Sequence, residues 1–201
     1  MSIELALFPL QSVLFPGGLL QLRVFEARYL DLVGQCLREQ QPFGVIALQQ
    51  GREVRSEGEV VAFESVGTLA QIIDVDSTEA GILKVRCQGT TRFMLGERRQ
   101  QGNGLWVADV TEQADDEPVP PAEAMLGTVR ALANAIGSLK NRGAEPFLEP
   151  YRFDDAGWVA NRWCELLPIS LAARQKLMEL PDGAVRLQIV DEYLRSRKVL
   201  Q

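Results

Sequence analysis

The sequence predicts an α+β protein: a β-rich first part interrupted by one helix, followed by a bundle of helices. Three observations predict it. Short alternating apolar and polar runs, separated by glycine and proline signals, fill residues 1–114, and period-two alternation marks strands with one buried face. The composition then breaks at Asp115-Asp116-Glu117-Pro118-Val119-Pro120-Pro121, an acidic, proline-rich stretch read as a solvated linker over 115–121. Beyond it, in residues 122–201, apolar residues recur at helical spacing.

In chain order, Ile3 to Leu7 alternates as a strand. Phe15-Pro16-Gly17-Gly18 is a turn, because proline fixes one central φ and glycine accepts a positive φ at the next position. Leu20, Leu22 and Val24 alternate with Gln21, Arg23 and Phe25, giving a second strand. A helix over about 26–40 follows, with Leu30, Val33 and Leu37 on one stripe widened by Phe25, Tyr29, Leu32 and Cys36; Pro42 stops it. Further strands are expected at 45–48, 60–66, 68–75, 83–87, 91–95 and 105–110. The polar run 51–59 reads as an exposed hairpin loop, Gly67 as a bulge or bend and Gly89 as a turn. Many short strands with turn signals between them imply a small barrel or folded sheet.

In the second part, residues 122–140 place Leu126, Val129, Ala133 and Ile136 on one helical face. Asp154 or Asp155 caps a helix that ends at Pro168, Ser170 caps a short helix closed by Pro181, and Asp182 caps the last helix.

Composition narrows the function classes. The chain has no histidine, which removes the commonest general base and metal ligand. Cys36, Cys87 and Cys164 are widely spaced and odd in number, so neither a disulfide framework nor a metal pair is expected, and a reducing cytoplasm fits. No window of about 20 residues is continuously apolar, and the N-terminus lacks a basic segment before an apolar run; neither a membrane span nor a secretory signal is expected. Residues 1–121 carry 10 Lys and Arg against 17 Asp and Glu, a net of −7, whereas residues 122–201 carry +1. An acidic first half repels phosphate backbones and argues against nucleic acid.

Leu7-Phe8-Pro9-Leu10, Val13-Leu14-Phe15-Pro16-Gly17 and Leu22-Arg23-Val24-Phe25-Glu26-Ala27-Arg28-Tyr29 together resemble the opening of the Lon protease N-terminal domain family. That opening reads P-L-F-P-L, then V-L-F-P-G, then L-x-I-F-E-P-R-Y, and order and spacing both match. Ala27 departs from the family's usual proline. Phe43-Gly44-Val45, Val66-Gly67-Thr68-Leu69-Ala70, Leu83 to Gly89 and Arg92-Phe93 are similar to its later strand motifs. Leu166-Leu167-Pro168, Gln175 to Glu179 and Arg186-Leu187 are similar to its closing helices. The resemblance implies a PUA-like β-barrel followed by a helical bundle, and a role in engaging protein substrates and in assembly. The sequence lacks the G-x-x-x-x-G-K-[ST] loop of the Lon ATPase module, and it is read as a stand-alone copy without ATPase, protease or the zinc-bearing domain of the cereblon branch.

The expected function is therefore a non-catalytic protein- or peptide-binding module with no cofactor or metal. Its partners would be unfolded or partly folded polypeptides, with self-association as a second expectation. The alternatives are an RNA-binding PUA-like protein and, further back, an unrecognised hydrolase. Candidate peptide-binding residues are Phe15, Pro16, Arg23, Glu26, Arg28, Tyr29, Phe147 and Tyr151. Phe15 beside Pro16 can form an apolar shelf, and Arg28 can clamp a peptide carboxylate or carbonyl. Core filling for Phe15, and a Glu26 ion pair with Arg23 or Arg28 that fixes the helix, are the favoured plainer readings. Phe147, Tyr151, Phe153 and Trp158 read equally as partner anchors or as packing. Asp74 and Asp76 lie two apart and share a strand face; turn and cap roles are expected for them and for the Asp154/Asp155 pair.

Overall fold

The computed structural model describes residues 2–50 and 61–198, so the predicted hairpin loop at 51–59 lies outside the described residues. The chain divides into two compact units, Met1–Ala114 and Asp115–Gln201.

The first unit holds β1 (Ser2–Leu10), β2 (Leu19–Val24), α1 (Ala27–Glu39), β3 (Phe43–Gln50), β4 (Ala62–Phe63), β5 (Val66–Glu79), β6 (Ile82–Gln100) and β7 (Trp106–Glu112). Five strands run in the order β1-β7-β6-β5-β3, and β1 then pairs β3 in parallel, which closes a ring; the other pairings are antiparallel. The ring is not a regular barrel. β2 and β4 hang off β6 and β3, and the β5–β6 ladder shifts register three times. Closure removes most sheet edges, the usual liability of a β-rich chain.

Period-two alternation sorts the strand residues into two cores. Leu5, Leu7, Ile46, Leu48, Leu69, Phe93, Ala108 and Val110, drawn from all five ring strands, form one cluster inside the ring. Phe8, Leu22, Val24, Phe43, Val45, Val85 and Cys87 point the other way and pack with Tyr29, Leu32, Val33 and Cys36 of α1. The buried stripe of α1 is thus centred on 29, 32, 33 and 36. Leu37 and Phe25, expected within it, are 48% and 57% exposed.

Two glycines mark places where chain segments approach closely. Gly89 is not the expected turn: β6 continues through it, with a register shift against β5 on its C-terminal side. A Cβ there would sit 2.4 Å from the Phe15 carbonyl oxygen and 2.9 Å from Leu14 Cγ. Gly67 likewise lies inside β5, where a Cβ would meet the Phe93 ring at 2.4 Å and the Val45 oxygen at 2.5 Å. Both permit close approach of another chain segment, and the bulge or bend expected at Gly67 falls beside it, where the ladder shifts register between Thr68 and Ala70. The turn at Pro16 does form: Gly17 takes φ 72°, and the Gly18 N–H donates to the Phe15 carbonyl at 2.9 Å.

The second unit is helical, with α2 (Leu126–Lys140), α3 (Ala156–Leu166), α4 (Leu171–Glu179) and α5 (Gly183–Ser196). Asp155, Ser170 and Asp182 cap α3, α4 and α5 by accepting backbone N–H groups. Every residue of α3 from Ala156 to Cys164 is buried, which makes α3 the centre of this unit. On α2 the buried positions are Thr128, Leu132 and Ile136, and Leu126 is 45% exposed. The expected stripe through Leu126, Val129 and Ala133 is therefore rotated; Thr128 joins the core because its hydroxyl donates to Asp191, which a hydropathy pattern does not register.

The stretch 115–121 stays largely exposed, yet two of its residues are tied to the helices. Asp116 accepts from Arg186 at 2.7 Å, and the Val119 carbonyl accepts the Ala156 N–H at 2.8 Å. Arg186 is 1% exposed, and a buried guanidinium requires a counter-charge, which Asp116 supplies.

Candidate functional site

The junction of β2 and α1 gathers most of the residues singled out by sequence. Glu26 stands just before the first turn of α1 in extended backbone and makes no capping bond. Its carboxylate instead pairs with Arg28 at 2.9 Å. The Arg28 guanidinium also donates to the Gly104 carbonyl at 2.8 Å and lies 4.5 Å from the Tyr29 ring centroid. Tyr29 stacks on Phe8 with centroids 4.0 Å apart. The chain thus uses a charge-assisted bond and an aromatic stack to set the start of α1 against the sheet.

This geometry corrects three of the expected contacts. Phe15 is 0% exposed, Tyr29 4% and Arg28 7%. Phe15 fills the core beneath its own turn, and Arg28 already spends its donors on Glu26 and Gly104. A partner cannot touch these side chains while the unit is folded. Pro16 and Glu26 are half-buried, and Arg23 is exposed, reaching Glu79 at 2.8 Å. Phe25, assigned by periodicity to the helix core, is the outward-facing aromatic of this junction. Its place at the end of the Gln21, Arg23, Phe25 alternation carried that signal.

In the second unit the aromatic cluster centres on Trp158, whose ring lies 6.4 Å from Phe147, 5.9 Å from Tyr151 and 5.4 Å from Phe153. The Arg162 guanidinium sits 5.5 Å from Phe147 and 5.6 Å from Trp158, and the side chain is fully buried. Phe147 is 6% exposed, so the expectation that it anchors a partner is corrected: it packs on α3. Tyr151 and Phe153 keep part of their surface, and Lys140 Nζ lies 4.9 Å from the Tyr151 centroid.

The reactive groups are few. All three cysteines are buried, and burial raises the thiol pKa to about 11 at Cys36 and about 12 at Cys87 and Cys164. Such thiols remain protonated and are poor nucleophiles. Asp155 takes the cap role expected of the 154/155 pair, whereas Asp74 and Asp76 stand exposed along β5 and cap nothing. Among the described residues no group of three or more His, Cys, Asp or Glu side chains could hold a metal, and no helix is long and apolar enough to cross a membrane.

A closed but irregular strand ring with one inserted helix, joined in sequence to a four-helix unit, defines the class of α+β protein to which the chain belongs. The ATP-dependent protease La (LON) substrate-binding domain model matches residues 4–196, and the chain belongs to that family. It is 30% identical to the Lon protease of Paraburkholderia phytofirmans over 96% of this chain and 24% of that protein. It is 25% identical to Lon protease 2 of Myxococcus xanthus over 98% of this chain and 24% of that protein. The chain therefore spans about a quarter of the length of these relatives. Among solved structures, the Lon N-terminal domain protein from Xanthomonas campestris superposes with a TM-score of 0.73 at 32% identity, covering 94% of this chain and 96% of that one. The N-terminal domain of the Mycobacterium avium complex Lon protease shares the fold, with a TM-score of 0.60 at 15% identity over 95% of this chain and 97% of that one.

Proposed function

We propose that this chain is a non-catalytic module that grips unfolded or partly folded polypeptides, the recognition step of a Lon-type system. One observation carries the reading: the match to a substrate-binding domain across residues 4–196. The chemistry of the chain supports it. A chain without histidine, and with its three thiols buried and protonated, offers neither a histidine-activated nucleophile nor a reactive thiolate. A net charge of −7 over residues 1–121 disfavours nucleic acid as the partner. The proposed contacts on the first unit are the exposed Phe25 and Arg23 with the half-buried Pro16 and Glu26; on the second unit, taken by itself, the half-buried Tyr151 is proposed. Free cysteines accord with a reducing cytoplasm, and self-association belongs to the same proposal.

Titration calorimetry with reduced, carboxymethylated α-lactalbumin, a permanently unfolded probe, tests this. The chain is expected to bind that probe and to ignore native α-lactalbumin, and Phe25→Ser is expected to weaken binding about threefold or more, as loss of an exposed aromatic anchor does. Equal binding to both forms, or to neither, would sink the proposal. Sedimentation of the chain alone reads self-association.

A further inference from the structure

β2 forms one edge of the β2–β6–β5 sheet, and the outer side of that edge is bare. It pairs with β6 from Leu19 opposite Gln88 to Val24 opposite Leu83 without a register shift. In the same register Gly18 stands opposite Gly89, and the Gly89 N–H donates to the Gly18 carbonyl at 2.9 Å, which makes them a hydrogen-bonded pair. In an antiparallel ladder such pairs recur at every second residue. Leu20, Leu22 and Val24 therefore spend their backbone groups on β6, and the N–H and C=O groups of Leu19, Gln21 and Arg23 point away from it. Among the described residues no other segment pairs with these outward groups.

The opposite edge of the same sheet is built differently. β5 leaves β3 after Ala70, and beyond that point its ladder with β6 shifts register at Ile72/Asp74 and again at Asp76/Glu79, with Asp74, Asp76 and Glu79 exposed. Bulges and exposed charges blunt an edge against further strands. β2 has no bulge, and Arg23 is its only charge. A regular edge whose alternate backbone groups are unpaired is a template for one more strand. The core side of β2 is also incomplete. Leu22 and Val24 are buried there, whereas Leu20 of β2 and Leu30 of α1 pack on the same cluster while only partly buried. A strand laid along β2 sets every second side chain beside Leu20, Leu22 and Val24 and extends that apolar cluster.

We infer that the outer edge of β2 takes up an extended segment of an unfolded polypeptide as an added β-strand, with apolar side chains at every second position. The inference rests on the polypeptide-recognition reading and supplies it with a place. That reading also names the occupant: the substrate of a protease is a polypeptide chain, and the substrate-binding match spans the whole of β2. Each edge of an extended chain carries both N–H and C=O groups, contributed by alternate residues, so either edge can pair with Leu19, Gln21 and Arg23. The backbone bonds read no side chain. The apolar row selects segments of alternating hydrophobicity, which a native protein keeps paired in its own sheets and only an unfolded one offers.

Residue-resolved amide hydrogen exchange tests the edge, with an eleven-residue peptide alternating Val with Thr, Ser and Gln as the probe. Saturating peptide is expected to slow exchange at Leu19, Gln21 and Arg23 by about tenfold or more and to leave Leu20, Leu22 and Val24, already bonded to β6, unchanged. Gln21→Pro deletes an outward N–H without removing a bond to β6. It is expected to keep the wild-type circular dichroism and to bind both the peptide and carboxymethylated α-lactalbumin about tenfold more weakly. Uniform protection along β2, or none, would overturn the assignment, as would a folded Gln21→Pro that binds like the wild type. If that variant does not fold, the exchange pattern decides alone. Protection of the same three amides on raising the protein concentration without peptide would give the edge to a second copy and overturn the assignment too. If the wild type ignores unfolded α-lactalbumin, the recognition reading itself falls; if it binds that probe with the β2 amides unprotected, only this site falls.

Discussion

Arg28 shows how one residue moves from candidate contact to structural fastener. Its side chain is 8% exposed, pairs with Glu26 and closes on the Gly104 carbonyl. Removing it strands the partly buried Glu26 carboxylate and leaves the Gly104 carbonyl with its Gln100 donor alone. Arg28→Ala is therefore expected to cost about 3 kcal/mol in urea denaturation, whereas Arg23→Ala, whose Glu79 pair is solvent-exposed, is expected to cost less than about 1 kcal/mol. The thiols make a pH prediction. Burial raises Cys164 from 9.0 to about 12. Below pH 9 the thiol is protonated whether the chain is folded or not, and it confers no pH dependence. Above pH 9 the unfolded chain ionises while the folded one resists until about 12, so the native state loses up to about 1.4 kcal/mol per pH unit. Denaturation midpoints should fall between pH 8 and pH 10.5, and the fall should shrink in Cys164→Ala. An unchanged slope would contradict it.

At the scale of elements, the first unit depends on how closely segments approach one another. β6 can run through Gly89 only because no side chain there blocks the Phe15 carbonyl. Gly89→Ala is expected to destabilise by about 3 kcal/mol, as overpacking against backbone does, while Gly102→Ala, with nothing within 4 Å of the added carbon, should be close to neutral. Equal midpoints for the two variants would refute this account of β6. Helices α3, α4 and α5 start where capping chemistry says they should, at Asp155, Ser170 and Asp182. These starts were legible because a cap is a local hydrogen bond between a side chain and N–H groups two or three residues ahead.

At the scale of the molecule, one buried charge organises the second unit. Arg186 joins Asp116, Asn161 and the Leu177 and Leu180 carbonyls, thereby linking the stretch before α2 to α3, α4 and α5. Arg186→Leu is expected to cost about 4 kcal/mol, since it removes the buried cation that donates to Asp116, Asn161 and two carbonyls. Trp158 and Trp163 fluorescence in a Trp106→Phe background reads the second unit alone. A midpoint like that of the parent would mean the network holds nothing together. The acidic first part acts over longer range: cationic unfolded polypeptides should associate faster than anionic ones, and added salt should reduce the difference.

The sequence by itself determined the order of strands and helices, the turn at Gly17, the helix caps, and, through the Leu7-to-Tyr29 motifs, the family; each is written in local spacing or backbone conformation. Tertiary structure decided which faces are spent. Phe15, Arg28, Tyr29 and Phe147 are in the core, Phe25 is out, and Asp74 stands beside Arg86 without pairing. Those outcomes depend on strand closure, a register shift and partners dozens of residues away, and periodicity measures only the distance between neighbours in the chain.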